Sequence, residues 1–131
     1  MANDLIPFKE SGDRVTCIPS AIVTGKRLVS ISGEKNANGC PTIAHTGAAG
    51  KPYGVAAWDA PTGGKVTVIT IQSGAIVPLI ASGAIAAGAS VKPGANGVVV
   101  SATALDRACG IALAGAVDAA EVMVQLGHHT A

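Results

Sequence analysis

Residues Gly54 to Thr70 read GVAAWDAPTGGKVTVIT, and residues Gly110 to Leu126 read GIALAGAVDAAEVMVQL. The two stretches align without a gap, placing Gly54 on Gly110, Val55 on Ile111, Ala56 on Ala112, Val66 on Val122 and Val68 on Val124. Each reads as a short apolar strand, a small-residue turn and a strand whose apolar residues alternate. In the second copy Val122, Val124 and Leu126 fall on one side and Glu121, Met123 and Gln125 on the other. That period belongs to a strand with one buried face. The glycine heading each copy suits a tight entry turn that has no room for a side chain.

The echo continues upstream. Ala21-Ile22-Val23-Thr24-Gly25 returns as Ala84-Ile85-Ala86-Ala87-Gly88, an offset of 63, and Ala37-Asn38-Gly39 returns as Ala95-Asn96-Gly97, an offset of 58. The Gly54 stretch returns at 56, so the matches keep their order while small loop deletions accumulate. Three matches in order predict two related β halves, about 16–71 and 79–126, within one β domain spanning 15–127.

A chain of 131 residues is long enough for one such domain. Apolar residues make up 49% but aromatic ones only 2%, so the core is built from Val, Ile, Leu and Ala. Charged residues are 13%, about half the usual share. So greasy a small chain implies sides covered by copies of itself or by a partner. The net charge of +1, with no basic stripe, argues against a nucleic-acid partner. Cys17, Cys40 and Cys109 are widely spaced with no CxxC, and read as small buried hydrophobes of a protein assembled in a reducing cytoplasm. No secretory signal opens the chain. Val66 to Val91 is uncharged and long enough to span a bilayer, but Gln72, Pro78 and the glycines at 74, 83 and 88 break it into strands and turns; no membrane is expected.

Outside the repeat, residues 1–14 carry Pro7, Gly12 and the knot Leu5-Ile6-Pro7-Phe8, and read as an extended N-terminal arm. Phe8, alone of its kind, suits either docking elsewhere or folding back onto its own domain. Strands are predicted at Val15 to Ile18, Arg27 to Ser32, Pro41 to His45, Ile76 to Ile80 and Val98 to Ser101, besides the two repeated stretches. Gly33 to Gly39 is a polar loop with an Asn-Gly turn signal. Ser82 to Ala89 reads as a turn or one helical turn, Ala104 to Ala108 as a loop or a helical turn, and 128–131 as a polar tail. Short strands with Gly-rich turns predict an all-β sandwich or barrel.

The chemistry-bearing residues do not add up to a catalytic, cofactor or metal site. Gly47-Ala-Ala-Gly50-Lys51 has the outline of a phosphate-binding loop, but it is two residues short and Pro52 stands where a hydroxyl is needed. Cys40 and His45 lack a second ligand pair for zinc, and adjacent His128 and His129 point apart at a solvated end. Asp13, Asp59, Asp106 and Asp118 fall in turns, where Asp makes local hydrogen bonds, and no GxSxG, HExxH or paired-carboxylate spacing occurs. Trp58, whose counterpart is Ala114, is a core or subunit contact by default and a sugar-stacking platform as the lesser reading.

The opening IPF-x-x-x-GD-x-x-T of Ile6 to Thr16, the run from Ala21 to Gly33, NANG at 36–39, GVAAWDAPTGGKVTV and the closing GIALAGAVDAAEVMVQL together resemble the tailed-bacteriophage head decoration, or capsid cement, proteins of small Ala/Gly-rich type. The resemblance implies a compact β-barrel or β-tulip-like fold, assembled as a homotrimer on the outer surface of the virion head. It implies binding to the major capsid protein at local three-fold positions, with the N-terminal arm reaching onto the lattice. On this reading Leu5, Ile6, Pro7 and Phe8 anchor the arm, and Trp58, Ile76, Val77, Leu79, Ile80 and Ile85 lie in subunit or capsid contacts, as does the uncharged region 73–89. Competing readings are a carbohydrate- or host-surface-binding β module using Trp58 and the loop aspartates, and a tail or baseplate subunit.

Overall fold

The computed structural model describes residues 13–48 and 50–131. Its strands are β1 (Arg14–Pro19), β2 (Leu28–Gly33), β3 (Thr42–His45), β4 (Gly54–Ala56), β5 (Val66–Thr70), β6 (Ile76–Ile80), β7 (Ser90–Pro93), β8 (Val99–Ser101), β9 (Arg107–Ala112) and β10 (Glu121–Thr130). The first five close into a barrel in the order β1-β3-β2-β4-β5, and the other five form a sheet in the order β6-β10-β9-β7-β8. Chain position by chain position, these are the same arrangement. The parallel β1–β3 pair of the first half has its counterpart in a single parallel bridge from Ala81 to Val99.

Backbone hydrogen bonds repeat across the halves. Ser20 N–H donates to the Ile43 carbonyl as Ser82 N–H donates to that of Val99, each at 2.8 Å. Ala57 donates to Thr67 as Leu113 donates to Met123, and Gly63 donates to Pro19 as Ala119 donates to Ala81. These pairs set the offset at 56 from β3 onward, as the sequence indicates. The Asn-Gly turn also keeps its 58: Asn36 donates to Cys40 as Gly94 donates to Val98. The upstream offset is corrected from 63 to 62. Val23 exchanges both backbone bonds with Ala60 as Ile85 does with Ala116, and Lys26 donates to Ala56 as Gly88 donates to Ala112. The letters AIVTG and AIAAG had drawn the alignment one residue out of step. Lys26 and Gly88 share the left-handed backbone, at φ 64° and 84°, that confirms the register.

The repeated glycines do a different job from that expected. Gly54 and Gly110 do not sit in turns. A Cβ on Gly54 would lie 2.5 Å from Val68 Cγ1, and one on Gly110 would lie 2.5 Å from Val124 Cγ1. Both let a neighbouring strand approach closely across a core of small aliphatic side chains.

Further expectations need adjusting. β1 begins at Arg14, inside the segment assigned to the arm, and residues 1–12 of that arm, with Leu5, Ile6, Pro7 and Phe8, lie outside the described residues. Ser90–Pro93 is a strand that its Lys and Pro concealed, and the segment Ala104 to Ala108 already enters β9 at Arg107. Ser82 to Ala89 is a turn region held by the Ile85–Ala116 bridge. The supposed tail is no tail, since His128 to Thr130 continue β10, with His129 opposite Ala108 and Thr130 opposite Arg107. Polarity misled there because a sheet edge facing solvent satisfies polar side chains as well as a coil does.

Two cores result, and they meet at β2 and β4. Cys17, Val23, Val29, Ile43, Ala56, Ala60, Val66 and Val68 fill the barrel. Leu28, Val55 and Ile71 instead pack with Leu79, Val91, Val99, Val122, Val124 and Leu126 of the second half. Leu28 and Val29 are consecutive and both wholly buried, so β2 is covered on both faces. The junction is closed by backbone bonds from Gly97 N–H to the Thr46 carbonyl (2.8 Å) and from Ile80 N–H to the Lys26 carbonyl (3.1 Å).

Gly97 has φ 78°, and a Cβ there would overlap the Leu28 carbonyl and lie 3.1 Å from both Arg27 Cβ and His45 Nδ1. Its counterpart Gly39 has φ 81° with open space around it. Gly39→Ala should therefore cost only the left-handed penalty, about 1–2 kcal/mol. Gly97→Ala should cost about 3 kcal/mol or more, because the overlap adds to that penalty. Thermal denaturation of the two variants checks this; equal losses would mean that the junction yields freely at β2.

Candidate functional site

Alternation along β6 divides the residues expected to make contacts. Val77 and Leu79 face the core, Ile85 is buried at its bridge, and only Ile76 and the half-buried Ile80 reach the outer side. Val77, Leu79 and Ile85 are thus core residues of the folded chain, a correction that the period of two supplies. Ile76 does not stand alone. β10 pairs Met123 with Pro78, and Gln125 with both Ile76 and Ile111, so these side chains share one face. Leu113, whose N–H donates to the Met123 carbonyl, extends it. Ile76 and Met123 are 56% and 51% exposed, Ile111 and Leu113 42% and 43%. A shallow groove of about 380 Å³ runs along this face, bordered by Ile76, Pro78, Ala114 and Met123.

The first half shows what the same positions can be. Ile76, Pro78, Leu113 and Met123 correspond to Arg14, Thr16, Ala57 and Thr67. The Trp58 position is Ala114 in the second half. Trp58 is half-exposed, and its Nε1 donates to the Lys65 carbonyl at 3.2 Å. The second half thus carries an open, largely apolar groove, with Glu121 the one charged residue among the described residues of its lining, where the first half carries Arg14, Thr16, Ala57, Thr67 and an indole.

The polar candidates are committed to the scaffold. Asp59 Oδ1 accepts from Gly25 N–H at 2.8 Å, and Asp118 Oδ1 from Gly83 N–H at 2.7 Å, so both aspartates tie together distant loops rather than closing their own turns. Asp106 does bond locally, accepting from the Thr103 N–H and hydroxyl, and it also pairs with Lys92 at 2.8 Å. These donors, Lys92 first, hold its carboxyl down to about 2. Among the described residues no group of three His, Cys, Asp or Glu side chains could hold a metal ion. Cys17 and Cys109 are buried and Cys40 half-buried, and none is bonded to another. Burial pushes the Cys17 thiol up to about 11 and the Cys109 thiol to about 12, which removes them from thiolate chemistry. Among the described residues no helix is long and apolar enough to cross a membrane.

His45 is a structural imidazole at the junction. Its Nε2 accepts from Thr24 N–H at 3.0 Å, while Nδ1 is buried without a hydrogen bond of good geometry. Burial lowers its pKa below the ordinary value; the Leu28 carbonyl works against that and the nearby Arg27 adds to it. His128 is lowered in the same direction by burial and by Arg107.

No family profile matches the chain, and no curated protein sequence does. The fold itself recurs in a phage head fiber. The particular structure is that of the head fiber gp8.5 N base in bacteriophage phi29, which superposes with a TM-score of 0.75 over 90% of this chain and 96% of that chain. The two share 21% identity, so the likeness is one of fold.

The lowered histidines make stability depend on pH. As pH falls through about 6.5, unfolded histidines take up protons while folded His45 and His128 stay neutral. The unfolded state then binds more protons, so stability should be full above that value and decline below it. The melting temperature should fall between pH 7 and 5, and His45→Gln should flatten that slope, since its amide oxygen can still accept from Thr24. An unchanged slope in His45→Gln would remove His45 from the account.

Proposed function

We propose that this protein is a structural component of a phage virion that attaches to the outside of the head, acting through its surfaces rather than by catalysis. The finer reading is a decoration protein that self-assembles, as a homotrimer, and binds the major capsid protein at local three-fold positions. The observation that carries it is the exposed apolar face of Ile76, Ile111, Leu113 and Met123, where the first half carries Arg14 and Thr67 in place of Ile76 and Met123. Large apolar side chains in one contiguous exposed group favour burial against a second protein surface. Support comes from the resemblance to cement proteins and from the fold shared with a head fiber base. The arm, with Leu5, Ile6, Pro7 and Phe8 as anchors, extends the same reading: a short apolar segment can add a strand or plug to a sheet on the shell. Three arms per trimer multiply a weak contact.

Two measurements test this. Met123→Asp should weaken self-association about tenfold or more in sedimentation while leaving the melting temperature unchanged. Deletion of residues 2–12 should leave a folded body that no longer decorates heads lacking their own copy of the protein. A wild-type chain that sediments as a monomer and ignores those heads would overturn the proposal, and specific glycan binding lost in Trp58→Ala would favour the host-surface reading instead.

A further inference from the structure

A second concavity lies where the two halves meet, away from the apolar face, with a volume of about 580 Å³. Residues 50–52 of the first half and 106–108 of the second both line it. At the offset of 56 these are the same segment of the repeat, so the fold brings Lys51 and its counterpart Arg107 to one pocket. Neither is given an ion pair by any described carboxylate: Lys92, which also lines the pocket, takes Asp106, and Lys26 takes Glu121. Three cations therefore face a single carboxylate that one of them already neutralises.

His128 completes the lining, and the backbone is irregular where it does so. On β10 the residues Val122, Val124 and Leu126 point to the core, and strict alternation would send His128 after them. The register shifts between Leu126 and His129, a bulge that turns His128 to the pocket and gives its inward place to His129. His129 Nε2 lies 2.8 Å from Ser90 Oγ. Burial, and after it the nearby charge of Arg107, lower the pKa of His128.

We propose that this pocket binds a compact polyanion, a phosphate or polycarboxylate group carrying two or more anionic oxygens, held between Lys51 and Arg107. The planar guanidinium of Arg107 presents paired donors suited to either group. Lys51 supplies a point charge from the opposite half, and His128, also in the lining, offers a ring nitrogen. The volume is that of a small-molecule site, and the paired Lys92 and Asp106 belong to its lining as well. The inference is independent of capsid attachment.

The test is calorimetric titration of the full-length protein with citrate and, separately, with inorganic tripolyphosphate at constant ionic strength. At least one should bind, and Lys51→Gln and Arg107→Gln should each weaken it about tenfold or more. Lys65→Gln, an exposed lysine outside the pocket, should leave it unchanged. The pair of titrants assigns the chemistry: citrate alone marks a carboxylate site, tripolyphosphate alone a phosphate site. The His128 imidazole, followed by NMR, should titrate at higher pH when the anion is bound, because the anion offsets the charge of Arg107. Binding that is absent, or equally weak in all three variants, or that leaves the His128 titration unmoved, would overturn the proposal.

Discussion

The burial of Leu28, Val55 and Ile71 against the second half is the constraint on which the architecture rests. These residues belong to the first barrel by chain and to the second core by contact. Because Val29 and Ala56, their neighbours in β2 and β4, fill the barrel, the strand pair is apolar on both faces. Each such side chain is worth about 1.5–3 kcal/mol when fully buried, so separating the halves would expose the core of the second at the same stroke. Gly97 is the steric condition for that contact, since its missing side chain lets the turn before β8 lie against the Leu28 carbonyl.

The two halves agree where the hydrogen-bond ladder demands it and differ where it does not. Gly54 and Gly110, Val68 and Val124, Ala56 and Ala112 are alike because each pair holds two strands at close approach over a small-residue core. Leu28, Val55 and Ile71 have as counterparts Ser90, Ile111 and Gly127, of which Ile111 faces outward. A repeat packed against itself cannot be symmetric in burial when one half presents its outer face and the other its interior. The same asymmetry leaves the second half with a greasy exposed face and a groove beneath Ala114.

A fold shared at 21% identity with a head fiber base conserves a backbone more readily than a surface. A fold does not by itself fix a function, which lies in the particular surfaces and sites the chain carries. The apolar face on β6, β9 and β10 and the basic pocket at the junction have opposite chemistry and lie apart. One is suited to excluding water against another protein, the other to holding charge at a mouth open to solvent.

The all-β class, the two related halves and most strands were legible in the chain alone, because alternation and repetition are local properties that survive without knowledge of contacts. Val122, Val124 and Leu126 announced their shared face, and the offset of 56 announced the second sheet. The sequence also determined that the core would be aliphatic and nearly free of aromatic rings. Only the tertiary structure decided which face of each strand met the core, as with Ile76 outside and Val77 and Leu79 within. It alone decided that Gly54 and Gly110 serve strand packing rather than a turn, that Asp59 and Asp118 reach across loops, and that Lys51 and Arg107 share a pocket. These contacts join residues from 14 to 56 positions apart in the chain, and no local periodicity records which of them will meet.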